Sequence, residues 1–261
     1  MESHNQPPKT LFSHDLRPIG TIAVAMSVVI ATFIGASTWE RVKVRPEVRT
    51  IEITGSAKRR IVSDLIEWTA TIEATATDRM TAYKSLQEGT VKAQGFLEKR
   101  GVKADQVFPT AVDVEQLFET VYEGTGEDRI SKQVPRGFTA RQSVVVRSSE
   151  VALVEKMSRE ITELLEQGVT ITSSAPLYYY TKLGEVKIEM LAEASKDART
   201  RAENMVASAG GATIGELKSA DMGVININPA NSTQGSWDGN NDTSSLEKDI
   251  ITIVHAKYAL D

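Results

Sequence analysis

The stretch Glu185–Leu217, EVKIEMLAEASKDARTRAENMVASAGGATIGEL, places alanines four residues apart through its middle and closes on paired glycines. Met190, Ala194, Ala198 and Ala202 recur every fourth position, and Met205 or Val206 and then Ala209 extend that side. This spacing predicts a helix with one face of small side chains. Glu193, Lys196, Asp197, Arg199, Arg201 and Glu203 fall mostly on the other faces, as a solvated side requires. Glycine-rich helix boundaries can hold anions, but they do so through the free N–H groups at a helix N-terminus. Gly210 and Gly211 stand at the C-terminal end, so the pattern is read as a helix lying close on a sheet with a left-handed glycine cap.

Working back from this helix, VTITSSAPLYYYT (Val169–Thr181) reads as strand. Before it, Glu150–Gln167 reads as a helix with Val151, Val154, Met157, Ile161, Leu164 and Leu165 on one stripe, ended by Gly168. FTARQSVVVRSS (Phe138–Ser149) is a strand, GEDRISKQVPRG (Gly126–Gly137) an exposed loop, and QVFPTAVDVEQLFETVY (Gln106–Tyr122) extended chain. Asp78–Arg100 has helical spacing through Leu86, Ala93 and Leu97, with Gly101 as cap. LIEWTATIEATAT (Leu65–Thr77) alternates Ile66, Trp68, Ala70 and Ile72 with Glu67, Thr69, Thr71 and Glu73, the mark of a half-buried strand. TIEITGSA (Thr50–Ala57) is a first strand.

After the alanine helix, TIGELKSADMGVININ (Thr213–Asn228) and DIITIVHAKYAL (Asp249–Leu260) read as closing strands. The polar segment 228–246 between them reads as a mobile loop in which Trp237 alone has apolar area to bury. The expected class is α+β: two strand-helix-strand units, a third long helix and closing strands over residues 50–261.

Between Arg17 and Glu40 there is no charged residue. Residues 18–39 as a helix would span about 33 Å, enough for a hydrocarbon core of about 30 Å, with Trp39 at an interfacial position. A cleaved signal peptide is the competing reading, with Gly35–Ser37 as the small-residue site, but the apolar run exceeds the usual length of about 7–15 residues. The segment is therefore expected to be a retained anchor between a tail, 1–17, and a charged linker, 40–49. Lys9 and Arg17 precede it, and Arg41, Lys43, Arg45 and Arg49 follow, so the charge rule slightly disfavours a cytoplasmic tail. The shape, a short tail before one apolar span, favours export of everything after it.

A chain of 261 residues with 41% hydrophobic residues can bury a core, and its net charge of −5 argues against a nucleic-acid surface. No cysteine is present, which removes disulfides, thiolate nucleophiles and thiolate metal sites.

IEITGSA at Ile51, GVTITSSAPLYYY, the alanine-rich AEASKDARTRAENMVASAGGATIGEL and the closing ITIVHAKYAL together resemble the SIMPL-domain proteins, over about Thr50–Leu260. That resemblance implies an α+β domain, usually exported, with homo-oligomers among bacterial relatives. It transfers no catalytic residue. Family association also suggests a stress-related accessory role, which no residue here supports. Family members often carry a proline-aspartate pair entering the second strand, where this chain has Ser63 before Asp64.

The residues themselves give no catalytic, cofactor or metal set. His4 and His14 lie in the tail, His255 lies on a strand face, and none is spaced from another as helical metal ligands are. There is no G-x-S-x-G elbow, phosphate loop or dinucleotide fingerprint. Asp238–Asp242, DGNND, has close oxygen ligands without an ordered calcium-loop pattern. Asn231 and Asn241 begin sequons read as chance matches in an asparagine-rich loop, and Leu177–Tyr180 is a candidate aromatic surface. The expectation is a membrane-anchored envelope protein acting by homo-oligomeric assembly or partner binding, not an enzyme, with no cofactor. Against it stands a hydrolase or small-ligand enzyme with dispersed residues, which converging acid, base and nucleophile in a pocket would favour.

Overall fold

A computed structural model describes residues 17–43, 49–124 and 129–261. The expectations for tail residues 1–16, with His4, Lys9 and His14, for linker residues 44–48 and for loop residues 126–128 fall outside them. The chain divides into two units, Met1–Arg49 and Thr50–Asp261.

In the first unit, α1 runs Arg17–Lys43, and Ile22–Glu40 within it has a mean hydropathy of 1.9 with no part of that stretch buried. Three of its hydroxyls are satisfied locally. Ser27 Oγ donates to Val24 O, Thr32 Oγ1 to Val28 O and Ser37 Oγ to Ile34 O, which removes the cost of placing them in an apolar medium. The helix is long and apolar enough to cross a bilayer, a test that a retained anchor and a signal sequence both pass.

The second unit is mixed α and β. β1 (Thr50–Val62) and β2 (Leu65–Ala76) lead into α2 (Arg79–Lys99) and, after a short 3-10 turn, β3 (Val107–Pro109). β4 (Asp113–Glu123), β5 (Ile130–Ser148), α3 (Val151–Glu160), β6 (Thr170–Ser173) and β7 (Leu177–Tyr179) follow. The chain then forms α4 (Leu183–Ala209), β8 (Ile214–Pro229), β9 (Asn240–Asn241) and β10 (Glu247–Leu260). One sheet has the order β1-β10-β8-β9; the other runs β3-β5-β2-β6, with β4 also on β5 and β7 also on β2.

The alternation of β2 puts Ile66, Trp68, Ala70 and Ile72 under α2 and α3, where they join Leu86, Leu97, Met157, Ile161 and Leu164 in a core of large side chains. Burial would orphan the Trp68 indole N–H, but it donates to Ser173 Oγ at 3.0 Å, and Ser173 Oγ donates to Ser158 O. Asp78 caps α2 by accepting from Thr81 N at 2.9 Å, and Gly101 and Gly168 follow their helices at positive φ.

The first sheet is covered by α4 through the small-residue face the spacing predicts. Met190, Ala194, Ala198 and Ala202 are fully buried, with Val206 continuing the face. Opposite Ala194 and Ala198 lies Gly55 of β1, where an added Cβ would overlap Ala194 O and Ala198 N. Strand and helix therefore meet backbone to backbone, and the alanine stripe serves packing.

Several local expectations are corrected. Met205 and Ala209 are exposed, because Val206 holds the inward position in the last turn. Gly210 has positive φ but extended ψ (73°, 159°), so it ends α4 without the left-handed cap. After Glu160 the chain tightens to a 3-10 helix, Ile161–Gln167, and three residues per turn carry Leu165 out to solvent. The segment expected as a loop before Phe138 is strand from Ile130 onward, paired with β4. It lacks a buried face and hence the alternation by which strands are recognised.

Candidate functional site

Three arrangements of side chains stand out on the second unit. The first is an arm. β5 runs beside β2 only from Phe138 to Ser148, whereas Ile130–Gly137 pairs only with β4 among the described residues. The departure point is Gly137, at φ 151°, where a Cβ would overlap Ala76 O at the end of β2. Beyond it, Phe118, Thr120 and Tyr122 share one face with Pro135, Gln133 and Ser131; Glu119, Val121 and Glu123 share the other with Val134, Lys132 and Ile130. Phe118, Tyr122, Val121, Ile130 and Val134 are all exposed, so the ribbon carries apolar side chains on both faces. Gln133 Nε2 donates to Thr120 Oγ1 at 2.8 Å, Arg136 pairs with Glu119 at 3.4 Å, and the Arg129 guanidinium lies 4.1 Å from the Tyr122 ring centre.

The second is a groove of about 540 Å³ on the face of the first sheet opposite α4. β8 builds it through the repeat Ile225-Asn226-Ile227-Asn228. Ile227 joins the core under α4, and Asn226 and Asn228 turn to the other face, where both are buried beneath the segment after Pro229. Asn226 reads the Ser236 backbone as a strand would, donating from Nδ2 to Ser236 O (3.2 Å) and accepting from Ser236 N (3.1 Å). Asn228 Nδ2 donates to Gln234 O, and its Oδ1 accepts from Asn240 Nδ2. These amides hold Trp237, 95% exposed, beside Met222, Val224 and Ile253. Thus part of segment 228–246, expected as a mobile loop, is tied to the sheet by asparagine side chains and β9. At one end of the groove His255 Nδ1 and Thr54 Oγ1 are 3.0 Å apart, with Asp221 opposite His255 in the register. All three are exposed cross-strand neighbours, an arrangement antiparallel pairing produces by itself.

The third is a pair of buried charges. Lys248, 2% exposed, donates from Nζ to Tyr178 O at 2.8 Å and to Asp242 O, tying β10 to β7. Burial pushes this ammonium below its ordinary value, partly offset by Asp242. Burial pushes Asp242 up, yet donors from Ser244 and Ser245 and the Lys248 charge together hold it low. Asp249, 1% exposed, accepts from Arg60 Nε (3.0 Å) and Asn231 N (2.8 Å) and meets Lys58 Nζ at 3.0 Å. The hydrogen bonds from Arg60, Asn231 and Lys58 hold its carboxyl far below the usual carboxylate range. Asn231 itself sits at φ 65°, a conformation asparagine tolerates.

His255 lies on the strand face expected of it, in the groove. Asp242 Oδ1 serves the Ser244 N–H and hydroxyl, and no cluster of three or more metal-ligating side chains occurs among the described residues. Asn241 lies in β9. Of Leu177–Tyr180, Tyr178 is buried, so the aromatic run belongs mainly to the junction between sheets. Asp64, after the Ser63 departure, accepts from Thr181 N and Oγ1, and its N–H donates to Tyr179 O. The arm's apolar faces and the asparagine ties were missed; the repeated Ile-Asn alternation was the available signal for the latter.

No curated protein matches the chain. Residues 51–249, from β1 into β10 and well over half of the sequence, match SIMPL, a protein family of unknown function (DUF541). With the fold expected of that resemblance in place, the chain belongs to the SIMPL family.

Proposed function

We propose that this is an exported, membrane-anchored envelope protein that acts by assembling with its own kind or with a protein partner, and not by catalysis. The arm carries this reading. A two-stranded ribbon is marginally stable alone in water, and exposed apolar residues on both faces with free strand edges are features that association covers. The apolar α1 supports the anchor, since a helix exposed all round and free of charge through its middle suits lipid. Anchors held in one bilayer raise the effective concentration of the domains, so weak contacts suffice.

The test is the mass of the full chain in mild detergent and after reconstitution, together with a reporter fused after Asp261. The expected results are a species larger than a monomer and a reporter that works only outside the cytoplasm. A monomer at micromolar concentration in both settings, with no co-purifying partner, would remove the assembly reading; a reporter active only in the cytoplasm would remove the topology.

A second reading is favoured by the groove. Its Trp237, Met222 and Ile253, with Asp221 and His255 at one end, suit a small ligand having an apolar body and a polar end. Trp237 fluorescence against candidate ligands tests it; Trp39 and the buried Trp68 give the background, which a Trp237→Phe control subtracts.

A further inference from the structure

We infer that copies of this chain join head to tail through the arm, with the acidic β4 of one copy adding as a strand beside the basic β5 segment of the next. This rests on the self-assembly reading above and names its surface and direction.

Charge separates the two strands of the ribbon. β4 carries Asp113, Glu115, Glu119 and Glu123 and no lysine or arginine, whereas the stretch Arg129–Gly137 carries Arg129, Lys132 and Arg136 and no acid. By register and by the Glu119–Arg136 pair, Glu119 and Glu123 lie on the same face as Lys132 and Arg136. Each strand also has one outer edge without a strand partner among the described residues, along Phe118–Glu123 and along Ile130–Arg136. Pro135 lacks an N–H and limits the second edge near its base, leaving Ile130–Val134 as the length a new strand can use.

Two ways of pairing these edges can be compared. A two-fold contact of β4 with β4 along that edge sets Glu119 and Glu123 against the same pair of the other copy, and β5 with β5 opposes like cations; like charges directly opposite destabilise a sheet. Head-to-tail repetition instead sets β4 beside the next copy's β5. Those strands are antiparallel whenever successive copies keep the same orientation, because β4 and β5 are already antiparallel within one chain. The ribbon then continues as alternating acidic and basic strands, every acidic strand flanked by basic ones. Phe118 and Tyr122 on one face, and Val121, Ile130 and Val134 on the other, align with their counterparts. Such heterologous contacts close into a ring where the rotation per copy permits and otherwise grow as an open array.

The experiment uses three full-length chains in mild detergent: the natural sequence, Glu119→Lys with Glu123→Lys, and Lys132→Glu with Arg136→Glu. Mass is measured by light scattering across a concentration series. Each reversed chain alone should assemble more weakly by roughly tenfold or more, since several charge pairs become like with like. An equimolar mixture should recover assembly, because each reversed edge then meets an opposite charge. Recovery also shows that the reversed chains are folded. Reversed chains that assemble like the natural one, or a mixture that fails to recover, overturn the head-to-tail contact while the assembly reading stands. A natural chain that is monomeric throughout overturns both.

Discussion

On β1 the Ser56 N–H is taken by the Asp197 carboxylate of α4 at 2.8 Å, and Arg59 of the same strand reaches Glu189 and Glu193 of that helix. On the arm, no side chain from another element caps Phe118–Glu123 or Ile130–Val134 among the described residues. Both are edge strands with polar backbone to satisfy, but only the first lies under a helix. The difference comes from side-chain size. Gly55 and the alanines let α4 come so close that its acidic residues reach the strand edge, while Gly137 marks the point at which β5 leaves its neighbour β2 and loses such cover. An edge closed from within is committed to the fold; an edge left open is available to another chain.

The strongest challenge to this comparison is to force the close contact apart. Ala198→Phe should lower unfolding stability by about 3 kcal/mol, the upper part of the usual cost of overpacking, and Gly55→Ala should act in the same direction. Denaturant midpoints equal to that of the natural chain would show that helix and strand are not in backbone contact.

Asp249→Asn comes next, at about 2 kcal/mol near neutral pH, because it leaves the Asn231 N–H and two cationic groups short of a buried carboxylate. Its pH dependence has a definite sign. The folded carboxyl titrates far below its ordinary value of 3.8, so its contribution is complete above that value and is lost as pH falls below it. Stability curves measured from pH 7 down to pH 2 should show a shallower acid limb in Asp249→Asn; parallel limbs would refute the assignment.

Removing the cover from β1 without disturbing the core is a gentler test. Asp197→Ala should cost about 1 kcal/mol, the usual net value of one hydrogen bond, and should speed exchange of the Ser56 amide. Unchanged exchange would mean that this edge is protected by something else. The smallest effects are expected at Phe118→Ser on the arm and Lys196→Ala on the outer side of α4, both within about 0.5 kcal/mol of neutral in unfolding. They separate on assembly: Phe118→Ser should lower the measured mass in detergent, while Lys196→Ala should leave it unchanged. Equal masses would close the gap between the covered and open edges.

Elements with a strong period were legible from the residues. The alternation of β2 named Ile66, Trp68, Ala70 and Ile72 as core, and the spacing of four named Met190, Ala194, Ala198 and Ala202 as the buried face of α4. Both follow from one side burying and the other not, which leaves a trace in composition. The arm left no such trace. With neither face buried, β4 and the start of β5 mix charge and apolar residues on both sides, and Gly126–Gly137 carries only the punctuation of a loop. The ties of the segment after Pro229 leave no apolar trace for a related reason: they are amide-to-backbone hydrogen bonds from Asn226 and Asn228, whose residues look merely polar in the sequence.

By itself, then, the sequence determined the apolar span of α1, the α+β class and the face that α4 turns to its sheet, because hydrophobic burial repeats with the period of the element it shapes. Tertiary structure decided which glycine receives the helix, which strand edges stay open, that Lys248 and Asp249 are buried with partners, and that Trp237 stands over a groove. These depend on residues far apart in the chain, such as Ser56 with Asp197 and Arg60 with Asp249, whose meeting is set by strand order and register. No local period records that order.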